Sequence, residues 1–66
     1  MYNVDVRSAI RQAGFYGYEV AAFLGVSETH FSRQLTRGEL STEKKENIMR
    51  AIMRMTETRE AANAAD

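Results

Sequence analysis

The chain has no cysteine, no proline and a single histidine, and each scarcity narrows what it can be. Without cysteine, neither a disulfide nor a thiolate metal site reinforces the fold. With His30 alone, and no acid at ligand spacing except Glu28, no metal site is expected. The absence of proline leaves every helical pattern below uninterrupted. No apolar run approaches the roughly 18 residues of a membrane span and no signal peptide is visible, so a soluble, cytoplasmic protein is expected, with no membrane partner. No glycine-rich phosphate loop or catalytic cluster is present either. Neither an enzymatic activity, a cofactor nor a small-molecule ligand is expected.

Charge of one sign is also missing, since nine basic residues stand against nine acidic ones. Neutrality argues mildly against nucleic-acid binding. The distribution is uneven, however: residues 56–66 carry a net −2 and residues 1–55 a net +2. Arg33, Arg37, Lys44 and Lys45 lie close together in sequence, either as a positive face or as ordinary solvated surface. At 66 residues the chain makes one domain. Such a domain buries only about 60% of its unfolded surface, so it needs well-packed helices, a partner subunit, or both.

What is present is helical period. Val6, Ala9, Ile10 and Ala13 share one face of a first helix, capped by Asn3 or Asp5, with Arg7 and Arg11 on its other side. Gly14 followed by Phe15 is the signature of a helix closed by a left-handed glycine with an apolar residue packing back. The same punctuation recurs at Gly25-Val26 and more loosely at Gly38 and Leu40. Val20, Ala21 and Leu24 make the buried face of a second helix, whose first turn is weakened by Gly17. Tyr16 and Tyr18 either cover core edges, the preferred reading, or reach a phosphate. Phe23 borders the apolar stripe, and burial is its commoner fate.

Ser27 is a good N-cap for a third helix from about Glu28 to Thr36, anchored by Phe31 and Leu35. Ala21 is small enough for the second and third helices to cross closely. Ser41 caps a fourth helix, with Glu43 in its first turn and Ile48, Ile52 and Met55 sealing the core. Met49 and Met53 form a separate pair, rotated by about 100°. They are either a dimer surface, which methionine suits, or the back of a loose core. Beyond Met55 the composition favours helix but offers no apolar face to dock, so the helix is expected to reach about Arg59 and fray. The expected organisation is a domain over residues 1–59 and a flexible tail over 60–66.

Ala21, Gly25, Val26, Ser27, Phe31, Ser32, Arg33 and Gly38 resemble the A…GVS…(hydrophobic)-S-R…G pattern of the phage repressor and Cro-like (Xre-like) family. The resemblance covers about Val4 to Met55. It implies an all-α, compact four-helix domain of the lambda-repressor type, with a helix-turn-helix over about residues 17–38. The implied function is sequence-specific binding of double-stranded DNA as a small transcriptional regulator, usually a homodimer on a near-palindromic operator. A bacterial cell, with phage or plasmid coding, is the implied setting.

By the same resemblance, Ser27, Glu28, Thr29, Ser32 and Arg33 hold the positions that touch bases or groove. Their chemistry fits: Arg33 can pair with guanine through two hydrogen bonds, and Glu28 can accept from cytosine. Alternatively, Glu28 simply favours the positive end of its helix. Phosphate contacts are expected from Tyr18, His30, Thr36, Arg37 and Lys44. The sequence departs from the family at Gly17, where a phosphate-binding glutamine is usual. That departure, neutrality and Glu28 support a second reading, in which the fold serves as a protein-interaction module such as an antitoxin, a phage inhibitor or a recombination accessory factor.

Overall fold

The computed structural model describes residues 1–64, which form α1 (Val4–Gln12), α2 (Gly17–Leu24), α3 (Glu28–Arg37) and α4 (Thr42–Ala64), with no strand among them. Each helix contributes a pair of side chains to one core: Val6 and Ile10, Val20 and Ala21, Phe31 and Leu35, Ile48 and Ile52. Most of these pairs are four residues apart, so a single turn of each helix carries the apolar stripe that the period required. Phe15, Leu24, Val26, Leu40, Met49 and Met55 pack at its margin, half-buried. Helix α2 packs on both α3 and α4, and α1 packs on α4. The core therefore lies where the four helices converge. No helix among the described residues is long and apolar enough to cross a membrane.

Two of the three expected glycine closures form. Gly14 has φ 80°, and Phe15 N–H donates to Ile10 O at 3.1 Å while Gly14 N–H donates to Arg11 O at 3.0 Å. Gly25 has φ 78°, with Val26 N–H on Ala21 O at 3.0 Å and Gly25 N–H on Ala22 O at 3.1 Å. Both are paired bonds of the Schellman type, and in both the next residue turns back onto the core. Ala21, 1% exposed, lies on the buried side of α2, the helix that packs on both α3 and α4.

The third closure does not form as expected. Gly38 has φ 172° and ψ 177°, extended backbone rather than the left-handed turn. The end of α3 is instead capped from the far end of the sequence by Asn3, whose Nδ2 donates to Leu35 O at 2.9 Å and Gly38 O at 3.0 Å. Asn3 precedes α1 in the left-handed conformation, φ 58°, and makes no side-chain cap there, contrary to one expectation. Asp5, the other candidate, accepts from the adjacent Val6 N–H and pairs with Lys45.

The helix starts follow local chemistry. Glu19 reaches back to accept from Tyr16 N–H at 2.9 Å, supporting the first turn of α2 that Gly17 weakens. Ser41 Oγ accepts from Lys44 N–H at 3.2 Å, as expected of the α4 cap. The end of α4 corrects the expectation of fraying after Arg59, because the helix runs on to Ala64. A contact supplies the missing anchor: the Arg59 guanidinium donates to Ala13 O and lies 4.3 Å from the centre of the Phe15 ring. Within the expected tail of 60–66, residues 60–64 are therefore helical, while 65–66 lie outside the described residues. Ala51, unremarked in the sequence, is buried between the α4 core positions.

Candidate nucleic-acid interface

Helix α3 presents one polar side because two apolar residues fix the other. Phe31 and Leu35 are 2% and 6% exposed. Their burial orients Thr29, Ser32, Arg33 and Thr36, spaced i, i+3, i+4 and i+7, along an exposed outer stripe. Glu28, His30 and Arg37 flank that stripe and are also exposed. The sequence thus placed the face correctly, with α3 ending one residue later than expected, at Arg37.

Individual groups differ in what they have free. Ser27 Oγ accepts from His30 N–H at 3.1 Å, which caps the helix and leaves the hydroxyl hydrogen to donate elsewhere. Thr36 differs: its hydroxyl donates to Ser32 O at 3.1 Å and Arg33 O at 3.2 Å. The hydroxyl is exposed, so it can accept a bond from a ligand as it stands and donates to one only by leaving these carbonyls. Among the described residues, the only ion pairs are those of Lys45 with Asp5 and Glu39. Arg33, Arg37 and Lys44 therefore keep their charges unneutralised, while Lys45 leaves the proposed positive cluster.

Tyr18 and Lys44 stand on the first turns of α2 and α4, and neither side chain hydrogen-bonds to α3 among the described residues. Tyr18 is 54% exposed and Tyr16 67%, which overturns the preferred expectation that both cover core edges. Their rings stack on each other, centres 5.7 Å apart and nearly parallel. Each ring therefore buries area on its neighbour rather than in the core. Phe23 is half-exposed as well, because Val20, Ala21 and Leu24 already occupy the buried side of α2.

Beside the Tyr16 end of α2 lies a cleft of about 420 Å³, lined by Arg7, Arg11, Gly14, Phe15, Tyr16, Gly17 and Leu35. Arg7 Nε touches Tyr2 O at 3.3 Å, and Arg11 is exposed. Neither arginine was singled out in the sequence. Their i, i+4 spacing on the polar side of α1 was the available signal, and only the folded chain gathers them with Gly17 around one cleft.

The methionine pair divides. Met49 is half-buried against the core, whereas Met53 is 62% exposed. Both line a groove with Asp5, Thr42, Lys45, Glu46 and Arg50. The pair thus comprises one core-margin residue and one exposed residue.

The electrostatic setting of the α3–α4 junction is local. Glu39 is held below the ordinary carboxyl range, first by the hydrogen bond from Lys45 and then by that from Asn3 N–H. Lys45 is raised, chiefly by its bond to Glu39. For Asp5, burial works upward, but the Val6 N–H and Lys45 outweigh it and the net shift is downward.

No family model matches the chain. No curated protein and no solved structure matches it either.

Proposed function

We propose that the protein binds double-stranded DNA through the outer stripe of α3, with α2 and α3 acting as a helix-turn-helix of the repressor and Cro type. The observation that carries this reading is the stripe itself. Short hydroxyl side chains and one unpaired arginine project from a helix whose opposite side is pinned by Phe31 and Leu35. A helix of this kind fits the major groove, where an arginine can pair bidentately with guanine. Arg37 and Lys44 supply phosphate contacts, and Arg7 and Arg11 serve the backbone beside Gly17, where the family's glutamine is missing. A homodimer would set two such helices about 34–36 Å apart on a near-palindromic site. Met53, with Met49 beneath it, is the proposed contact between copies.

The exposed Tyr16, Tyr18 and Phe23 favour the interaction-module reading, because three aromatic rings half or more in water are costly without a partner. One experiment separates the two. Random duplexes are selected with the purified protein, and affinity for the enriched site is compared with that of Arg33→Ala. Under the DNA reading, Arg33→Ala weakens binding to that site by about 1–3 kcal/mol with the fold intact. Selection that enriches nothing, from folded protein, shifts the weight to a protein partner.

A further inference from the structure

We propose that Asn3 is a positioning residue for α3, and that by capping the helix from the N-terminal segment it sets how the outer stripe meets the bases. The proposal rests on the DNA-binding reading of α3. Asn3 is the only buried polar residue among those described, at 0% exposure. Its side-chain amide is fully used: Nδ2 donates to Leu35 O and Gly38 O, and Oδ1 accepts from Leu40 N–H at 2.9 Å. Its own backbone N–H donates to Glu39 Oε1 at 2.7 Å. Glu39 in turn pairs with Lys45, which pairs with Asp5 at 3.3 Å. One side chain thus joins the residue before α1 to the last turn of α3 and the segment leading into α4.

The backbone requirement points to the same residue. Asn3 is the one non-glycine residue at positive φ among those described. Asparagine is the side chain that tolerates the left-handed region best, and here it also supplies two donors and an acceptor. Stability alone does not call for this arrangement. A left-handed glycine closes α1 and α2 with local bonds, and Gly38 is available to do so for α3. A local closure ties a helix end only to the residues that follow it. A cap from Asn3 ties the end of α3 to α1, so the tilt of α3 against the body is fixed at both of its ends: by the Gly25 turn and the packing on α2 at one, by Asn3 at the other. Arg33 and Thr36 lie within one turn of the capped carbonyls, so an error in tilt is felt there directly.

The test compares wild type with Asn3→Gly, which keeps the left-handed backbone and removes the amide. Affinities for the selected site and for random duplex are measured at one salt concentration, with the folded fraction determined alongside. The expected result is a loss of about tenfold on the selected site, where base contacts need alignment, and less than about twofold on random duplex, which phosphates dominate. Losses that are equal on both DNAs, or absent on both, overturn the proposal. If Asn3→Gly does not fold, Asn3→Asp replaces it, being isosteric and keeping the acceptor for Leu40 N–H while losing both donated bonds. Amide hydrogen exchange is read on the same samples. Leu40 N–H that stays equally protected in wild type and Asn3→Gly overturns the cap itself, whatever the DNA result. A wild type that prefers no duplex overturns the DNA reading instead, so the two failures are distinguishable.

Discussion

The C-terminal ends of α2 and α3 face the same problem of unpaired carbonyls, yet one is closed by the next residue along and the other from the opposite end of the chain. Gly25 turns left-handed and lets Val26 bond back to Ala21. At α3, Gly38 stays extended and Asn3 provides the donors. A local closure makes a helix end a property of its own segment. A remote closure makes it a property of the assembled fold, and α3 is the helix whose orientation the proposed function depends on. The end of α1 combines the two, since the Gly14 turn closes it locally while Arg59 of α4 donates to Ala13 O and lies over Phe15.

The sharpest way to break this contrast is to substitute alanine at each glycine in turn. No atom lies within 4 Å of an added Cβ at Gly25 or at Gly38, so sterics outside the backbone are equal. Gly25→Ala forces a side chain into the left-handed region and is expected to cost about 1–2 kcal/mol. Gly38→Ala is expected to fall within about 0.5 kcal/mol of wild type. Urea denaturation of the two variants reads the difference, and equal losses would mean that α3 is closed by its glycine after all.

Arg59→Ala probes the second remote contact at smaller amplitude. An exposed cation–π pair is worth about 0.5–1 kcal/mol. Its loss should also free the last turns of α4, lowering helical circular dichroism and raising amide exchange beyond Arg59. Exchange that is unchanged there would show that alanine-rich composition alone carries the helix to Ala64.

The smallest expected effect concerns pH. Glu39 has a lowered folded pKa, so its contribution is complete above the ordinary glutamate value of about 4.3 and disappears as pH falls through the lower folded value. Lys45 is raised, so its contribution is complete below about 10.4 and is lost as pH rises through the higher folded value. Between these limits the Glu39–Lys45 pair adds no slope. Glu39→Gln should flatten part of the acid-side decline in thermal midpoint while leaving the neutral plateau nearly where it was, since the pair is exposed and screened. An unchanged acid limb would mean that Glu39 does not support Asn3.

The same division explains what the sequence made legible. The glycine closures at Gly14 and Gly25, the Ser27 and Ser41 caps, and the outer stripe of α3 depend on residues within one or two turns, and periodicity found them. Asn3 looked like a helix cap because its partners, Leu35 to Leu40, are more than thirty positions away. Arg59 looked like the fraying end of the last helix for the same reason, with Ala13 its acceptor. Tyr16, Tyr18 and Phe23 were assigned to core margins from apolarity. Three other α2 residues, Val20, Ala21 and Leu24, already fill the buried side, which only the packed helices reveal. Arg7 and Arg11 were visible as a polar face, but the cleft that gathers them at Gly17 belongs to the tertiary fold.

The most direct measurement is to follow backbone amide signals by NMR while a short duplex is titrated in, first at low and then at high salt. The account predicts shifts over Ser27–Arg37 and at Arg7, Arg11, Gly17 and Tyr18, weakening as salt rises, with the outer stripe of α3 moving most. Shifts absent from α3 while the protein stays folded, or confined to the Met49–Met53 face of α4, would contradict it.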